Sequence, residues 1–165
     1  MTETPSIAVR TGKPEDVHAV MDCALAACEE NGLTNPNPMK LLNDIWAALN
    51  LDNGIMGLIG EPGGPVEAGI LMRIEPLWYT DELSLVERAI FVDPKFRAAK
   101  GGRASRLCEF AKDTQRILGM PLVIGVMSSQ RTEGKVRLYE RHFGKSAGSY
   151  WVIGTETGAF KKAAE

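Results

Sequence analysis

The sequence predicts a mixed α/β domain in which strands alternate with about four helices. Apolar runs of strand length, bounded by glycine or proline, fall at 54–60, 66–74, 83–92 and 122–127. Stretches with apolar residues at three- and four-residue spacing lie before, between and after them. The chain has 165 residues, enough for one domain over 1–165 with a real core. Hydrophobic residues make up 44% and charged residues 24%, which excludes a disordered chain. The net charge of −2 gives no global attraction to nucleic acid. No apolar run reaches the ~18 residues of a membrane helix. Residues 1–6 lack a basic-plus-apolar leader pattern, so a cytoplasmic protein is expected.

In chain order, 7–10 reads as a short first strand. Pro14, Glu15 and Asp16 open a helix, with proline in the first turn and acids near its positive end. Val17, Val20, Met21, Ala24, Leu25 and Cys28 keep its stripe, and Asn31-Gly32 stops it. Asn35-Pro36-Asn37-Pro38 is a loop. Leu42, Ile45, Trp46 and Leu49 mark a second helix. Glu61-Pro62-Gly63-Gly64-Pro65 joins two strands as a hairpin; without a following Gly-Lys-Ser/Thr it is no phosphate loop. The strand 83–92 ends at Pro94, which has no N–H for a ladder. The next helix spans 103–118 on Leu107, Cys108, Ala111, Thr114 and Leu118, and Gly119 and Pro121 close it. The run 122–127 reads as a buried strand, 132–142 as a fourth helix and 150–155 as a last strand. Cys23, Cys28 and Cys108 form no CxxC pair, and His18 and His142 are far apart. Buried reduced thiols and no metal are expected.

The joint between the strand 83–92 and the helix 103–118 is the informative stretch. It carries Lys95, Arg97, Lys100, Arg103 and Arg106 with no acid between them, and Gly101-Gly102 where the helix begins. A helix start offers unpaired N–H groups and a positive dipole end, and glycine lets a bulky anion approach. The joint is therefore a candidate anion site. One short basic patch without an aromatic platform does not make a nucleic-acid binder, and none is expected.

Val92-Asp93-Pro94 followed by Arg97, Lys100 and Gly102 resembles motif A of the GNAT superfamily of N-acetyltransferases, a Q/R-x-x-G-x-G/A loop after a Val-x-Pro strand end. Lys100 replaces the first glycine. Leu138-Tyr139 with Phe143-Gly144 resembles the family's Leu-Tyr-x-x-x-Gly-Phe element, its last two residues exchanged. The element order matches over nearly the whole chain. The resemblance implies a central, mostly antiparallel mixed sheet, splayed at the cofactor site and flanked by about four helices, and an acetyl-CoA-dependent N-acetyltransferase. Arg97, Ala98, Ala99, Lys100, Gly101, Gly102, Arg103 and Ala104 would hold the pyrophosphate. The backbone of Ile90, Phe91 and Val92 would pair with the pantetheine arm. Thr132 stands where the family often has a pantetheine-contacting Asn. An amine-bearing small molecule or peptide is the implied acceptor, and a homodimer fits the family's habit. A catalytically silent acyl-CoA-binding module is the alternative.

Direct aminolysis of a thioester needs a base for the ammonium, donors for the carbonyl oxygen and an acid for the thiolate. Glu87, read at period two with Leu83, Leu85, Ala89 and Phe91, is a desolvated carboxylate suited to the base. Glu82 and a water chain are its competitors, and an ion pair with Arg73 is the plainer role. The resemblance gives Tyr139 the acid role. Asn35, Met39, Trp78, Tyr79 and Tyr150 are candidates to line the acceptor site.

Overall fold

The computed structural model describes residues 7–32, 35–97, 102–128 and 131–153. A sheet of five strands lies between two helical layers. Its strands are β1 (Arg10–Thr11), β2 (Gly54–Ile59), β3 (Ala68–Pro76), β4 (Leu83–Val92) and β5 (Leu122–Val123), in that spatial order. The first three pairings are antiparallel, and β4–β5 is parallel. The helices are α1 (Val17–Asn31), α2 (Pro38–Leu49), α3 (Arg103–Leu118) and α4 (Thr132–Phe143). A parallel β4–β5 pair needs a crossover, and α3 supplies it. This is the expected mixed α+β architecture with a mostly antiparallel sheet. Among the described residues no helix is long and apolar enough to cross a membrane.

Side-chain alternation along β2 and β3 divides the core in two. Met56, Leu58 and Leu71 face α1 and α2, where they meet Val20, Ala24, Ile45, Ala48 and Leu49. Ile59, Ala68, Ile70 and Met72 face α3, where they meet Leu107 and Ala111. Gly57 makes room for α3: a Cβ there would lie 2.6 Å from the Phe110 ring. α1 and α3 end at left-handed glycines, Gly32 and Gly119.

Several expectations need correction. The first strand pairs at Arg10–Thr11, not over 7–10, and β3 begins at Ala68. The run 122–127 pairs only at Leu122–Val123, and its Val123 and Met127 are exposed. Among the described residues it has a partner strand on one flank alone, and Leu122 and Ile124 are only partly buried. Residues 150–153 form no strand, and Tyr150, Trp151 and Ile153 are exposed; Thr155 lies outside the described residues. Trp46 is half exposed, because the inward side of α2 is set by Ile45, Ala48 and Leu49. Cys108 is buried, but Cys23 and Cys28 are only partly so.

Asp16 does more than favour a helix start. Its side chain is fully buried and accepts from both Arg10 Nη atoms at 2.8 Å and from the Lys13 N–H at 2.9 Å. Arg10 Nε also donates to the Gly60 carbonyl at 2.6 Å. One ion pair thus ties β1, the entry to α1 and the end of β2. The Arg10 hydrogen bond holds the Asp16 carboxyl down to about 2. A lowered pKa stabilises the fold above the ordinary carboxylate range, and that stability is lost as pH falls toward about 2. Asp16→Ala leaves Arg10 unpaired and is expected to cost roughly 3 kcal/mol at neutral pH. Urea denaturation at several pH values checks this. The deficit should shrink as the medium is acidified through the carboxylate range.

Candidate active site

β4 departs from strict alternation at one point. Met72 pairs with Glu87, but the preceding Leu71 pairs with Ala89, so Arg88 is an extra residue in a β-bulge. The bulge reverses the faces of everything after it. Leu85 and Glu87 face α3 with Ile90 and Val92, while Ala89 and Phe91 turn toward α1 and α2. The expected face is therefore right for Leu85 and wrong for Ala89 and Phe91. Arg88 is tied down by Glu75 at 2.8 Å and Asp44 at 3.9 Å. Arg73 pairs with Val86 across the ladder, on the side away from Glu87, and reaches Asp44 and the Asp52 carbonyl instead. It is not the partner of Glu87.

Glu87 lies between the sheet and the outer helices. Burial pushes its carboxyl up to about 7, against a weaker opposing pull from the Gly125 N–H, which donates to Oε2 at 3.3 Å. Cys108 on α3 and Tyr139 on α4 complete the group. Burial raises the Tyr139 hydroxyl above the usual phenol range, and the charges of Glu87 and Cys108 raise it further. Burial, then Glu109 and Glu87, pushes the Cys108 thiol up to about 12. So Tyr139 and Cys108 hold their protons at neutral pH, and Glu87 exchanges its own there. Cys108 is legible in the sequence as a core position on α3, but nothing in its spacing places it beside a carboxylate.

Among the described residues, the strand edge next to this group has no partner past Val86. The β4–β5 ladder holds at Leu85–Leu122 and Val86–Val123 and goes no further, while β4 runs on to Val92. Among the described residues, Ile90, Phe91 and Val92 pair only with β3. This is the splay expected at the site.

The basic joint divides its charges. Arg97 donates from Nε to the Val92 carbonyl at 3.0 Å and forks onto both oxygens of Glu30 on α1. Arg131, in left-handed backbone at φ 51°, also reaches Glu30 at 2.8 Å. Arg97 is thus engaged by a carboxylate, a contact 67 residues away in sequence that no motif signals. Gly102 caps α3 at φ 57°, and the first bond of the helix runs from Arg106 N–H to the Gly102 carbonyl. Arg103 stacks over Phe96 at 4.5 Å and donates from Nε to Glu67 at 2.8 Å; its side chain is 9% exposed, and its buried Nη1 has no partner among the described residues. A buried guanidinium with a spare N–H beside a helix N-terminus fits an anionic group. Ala98, Ala99, Lys100 and Gly101 lie outside the described residues. Ala104 is partly buried in the first turn of α3, and Thr132 donates to the Ser128 carbonyl at 2.9 Å.

Of the acceptor candidates, Met39, Trp78, Tyr79 and Tyr150 are exposed, and Trp78 meets Tyr79 edge to face at 5.5 Å. Asn35 and Glu82 are exposed as well.

No protein-family model matches the sequence, and no curated protein matches it. Solved structures do. One is an integron cassette protein from the mobile metagenome of Cole Harbour Salt Marsh, at TM-score 0.68 and 20% identity over 92% of this chain and 91% of that one. A possible acetyltransferase from Clostridium difficile 630 aligns at TM-score 0.64 and 14% identity over 88% and 95%. AAC(6')-Iy, solved with the bisubstrate analogue CoA-S-monomethyl-acetylneamine, aligns at TM-score 0.65 and 14% identity over 88% and 95%. At such identities the likeness is one of fold, and the fold is that of the GNAT acetyltransferases.

The raised carboxyl of Glu87 has a stability signature opposite to that of Asp16. Between the ordinary carboxylate range and about 7, the folded chain holds a proton that the unfolded chain has lost, so stability falls as pH rises. Glu87→Gln removes this cost and keeps an acceptor for Gly125. It should be more stable than the parent at pH ~8 by on the order of 1–3 kcal/mol, and nearly equal to it at pH ~4. Urea melts at the two pH values check the prediction; parallel pH dependence in both proteins would contradict it.

Proposed function

We propose that this protein is an N-acetyltransferase that moves an acetyl group from acetyl-CoA to a primary amine by direct attack on the thioester. The observation that carries the reading is Glu87: a carboxyl pushed to about 7, beside the open edge of β4 and the protonated Tyr139. The fold supports it independently.

Each residue then has a task. Glu87 takes the proton that the amine must lose before it can attack, directly or through water. The backbone of Ile90, Phe91 and Val92, unpaired on one side among the described residues, aligns the donor's amide arm and meets the charge growing on the carbonyl oxygen. Tyr139 gives its proton to the departing thiolate; a phenol held protonated can still serve a thiolate as it forms. Gly102, Arg103 and Ala104 at the α3 N-terminus receive the donor's anionic end, with the spare Arg103 N–H as its cationic contact. Arg97, committed to Glu30, fixes the base of that loop to α1. Acetyl-CoA supplies the activated acyl carbon, so no enzyme nucleophile is needed. The AAC(6')-Iy complex contains an acetylneamine, which puts polyamine sugars on the acceptor panel beside peptides and simple amines.

Steady-state thiol release with an accepted amine tests these roles. Tyr139→Phe keeps the ring that meets Phe143 edge to face at 5.5 Å and removes only the hydroxyl. Its kcat is expected to fall roughly 10²–10⁴-fold, with little change in acetyl-CoA affinity or Tm. A kcat within about threefold of the parent would return Tyr139 to a packing role. For the parent, kcat/KM should rise with pH through about 7, because the deprotonated form of Glu87 is the working one. Glu87→Gln should abolish that rise while leaving acetyl-CoA binding, read by calorimetry, nearly unchanged.

A further inference from the structure

Away from Glu87, α3 and α4 bring together three side chains with the relationships of a hydrolytic triad. Ser105 Oγ lies 2.7 Å from His142 Nε2, and His142 Nδ1 lies 2.8 Å from Glu109 Oε1. Ser105 and Glu109 stand one turn apart on α3, so both face the same point on α4. His142 is nearly enclosed, with its side chain 13% exposed and its ring against Phe143.

The hydrogen-bond roles follow from chemistry. The hydrogen bond from His142 is the main influence holding the Glu109 carboxyl below its usual range. An ionised carboxylate can only accept, so Nδ1 carries the ring proton. In the neutral ring Nε2 is then the lone pair, to which the Ser105 hydroxyl donates. A serine hydroxyl bonded to a histidine base, itself oriented by a carboxylate, is the activated-nucleophile arrangement. Ser105 is also the third residue of α3. The helix's own bonds begin with Arg106 N–H, so the N–H groups of Ala104 and Ser105 have no acceptor within the helix. They lie beside the nucleophile, where an oxyanion would form.

The structure assigns Ser105, His142 and Glu109 to a serine-nucleophile site that hydrolyses short-chain carboxylic esters. Ser105 Oγ bonds to the ester carbonyl carbon as its proton passes to His142 Nε2. The ester C–O bond then breaks, and the leaving alcohol takes that proton. Water bonds to the acyl carbon as its proton passes to His142 Nε2, and the acyl C–Oγ bond then breaks as His142 returns the proton to Ser105 Oγ. The sum is ester plus water to acid plus alcohol. The inference does not depend on acetyl transfer, although both readings use the N-terminus of α3.

The full chain, without CoA, is incubated with an alkyl fluorophosphonate, and the adduct is mapped by mass spectrometry. A single adduct on Ser105 is expected, with fluoride released as the O–P bond forms. With p-nitrophenyl acetate, turnover should vanish in Ser105→Ala and fall roughly 10²–10⁴-fold in Glu109→Gln, which keeps an acceptor but loses the charge. Circular dichroism confirms that each variant is folded. A folded parent with no adduct on Ser105 would overturn the assignment. So would a Ser105→Ala variant that releases p-nitrophenol at the parent's rate. Adduct mapping uses the parent chain alone, so it decides the assignment even if a variant fails to fold.

Discussion

One extra residue in β4 organises the site. The Arg88 bulge lets a single strand serve both halves of the core, sending Glu87 toward α3 and α4 and Phe91 toward α1 and α2. A regular strand would put Glu87 and Phe91 on one face. Either the carboxylate would then sit among α1 and α2 side chains, or the phenyl ring would crowd α3. Bulges also bend a strand and increase its local twist. Here the bulge directly follows the last β4–β5 pair at Val86–Val123. It therefore places the carboxylate and the loss of pairing at the same point along β4.

The charges of this protein act according to how completely they are matched. Asp16 is buried with a full set of donors and is held down to about 2. Glu87 is enclosed with one long contact from Gly125 and is pushed to about 7. The first is structural because its proton is never at issue near neutrality; the proton of the second is, and the proposed chemistry uses it. Glu30 belongs with Asp16: its fork with Arg97 and its bond with Arg131 tie α1 to both the basic joint and the start of α4. Arg103 belongs with Glu87, since one of its buried N–H groups is unmatched among the described residues.

The boundaries of β4 and α3 are legible in the sequence because residues with fixed backbone roles mark them: Pro94 after one, Gly102 and Gly119 around the other. Glu87 is legible as a desolvated carboxylate, since any register of an apolar strand buries part of it. The company Glu87 keeps is not. A two-residue period carries no sign of an inserted residue, so it puts Ala89 and Phe91 on the wrong side of the sheet. Contacts set by tertiary packing are equally silent. Nothing in the spacing of Glu30 and Arg97, or of Ser105 and His142, says that they meet. The run 122–127 looks buried because composition reports apolarity, whereas burial depends on what covers a strand, and β5 is an edge.

The proposed chemistry rests on Glu87 being a carboxyl whose proton is exchanged near neutrality, and that proton can be followed directly. Carbon-13 labelling of the glutamate side chains, with Glu87→Gln to assign the resonance, gives a titration curve for this one group by NMR. The expected midpoint is about 7. A midpoint in the ordinary carboxylate range of roughly 4–4.5 would contradict the proposal, because a carboxyl at home in water is neither enclosed by the bulge nor poised as a base.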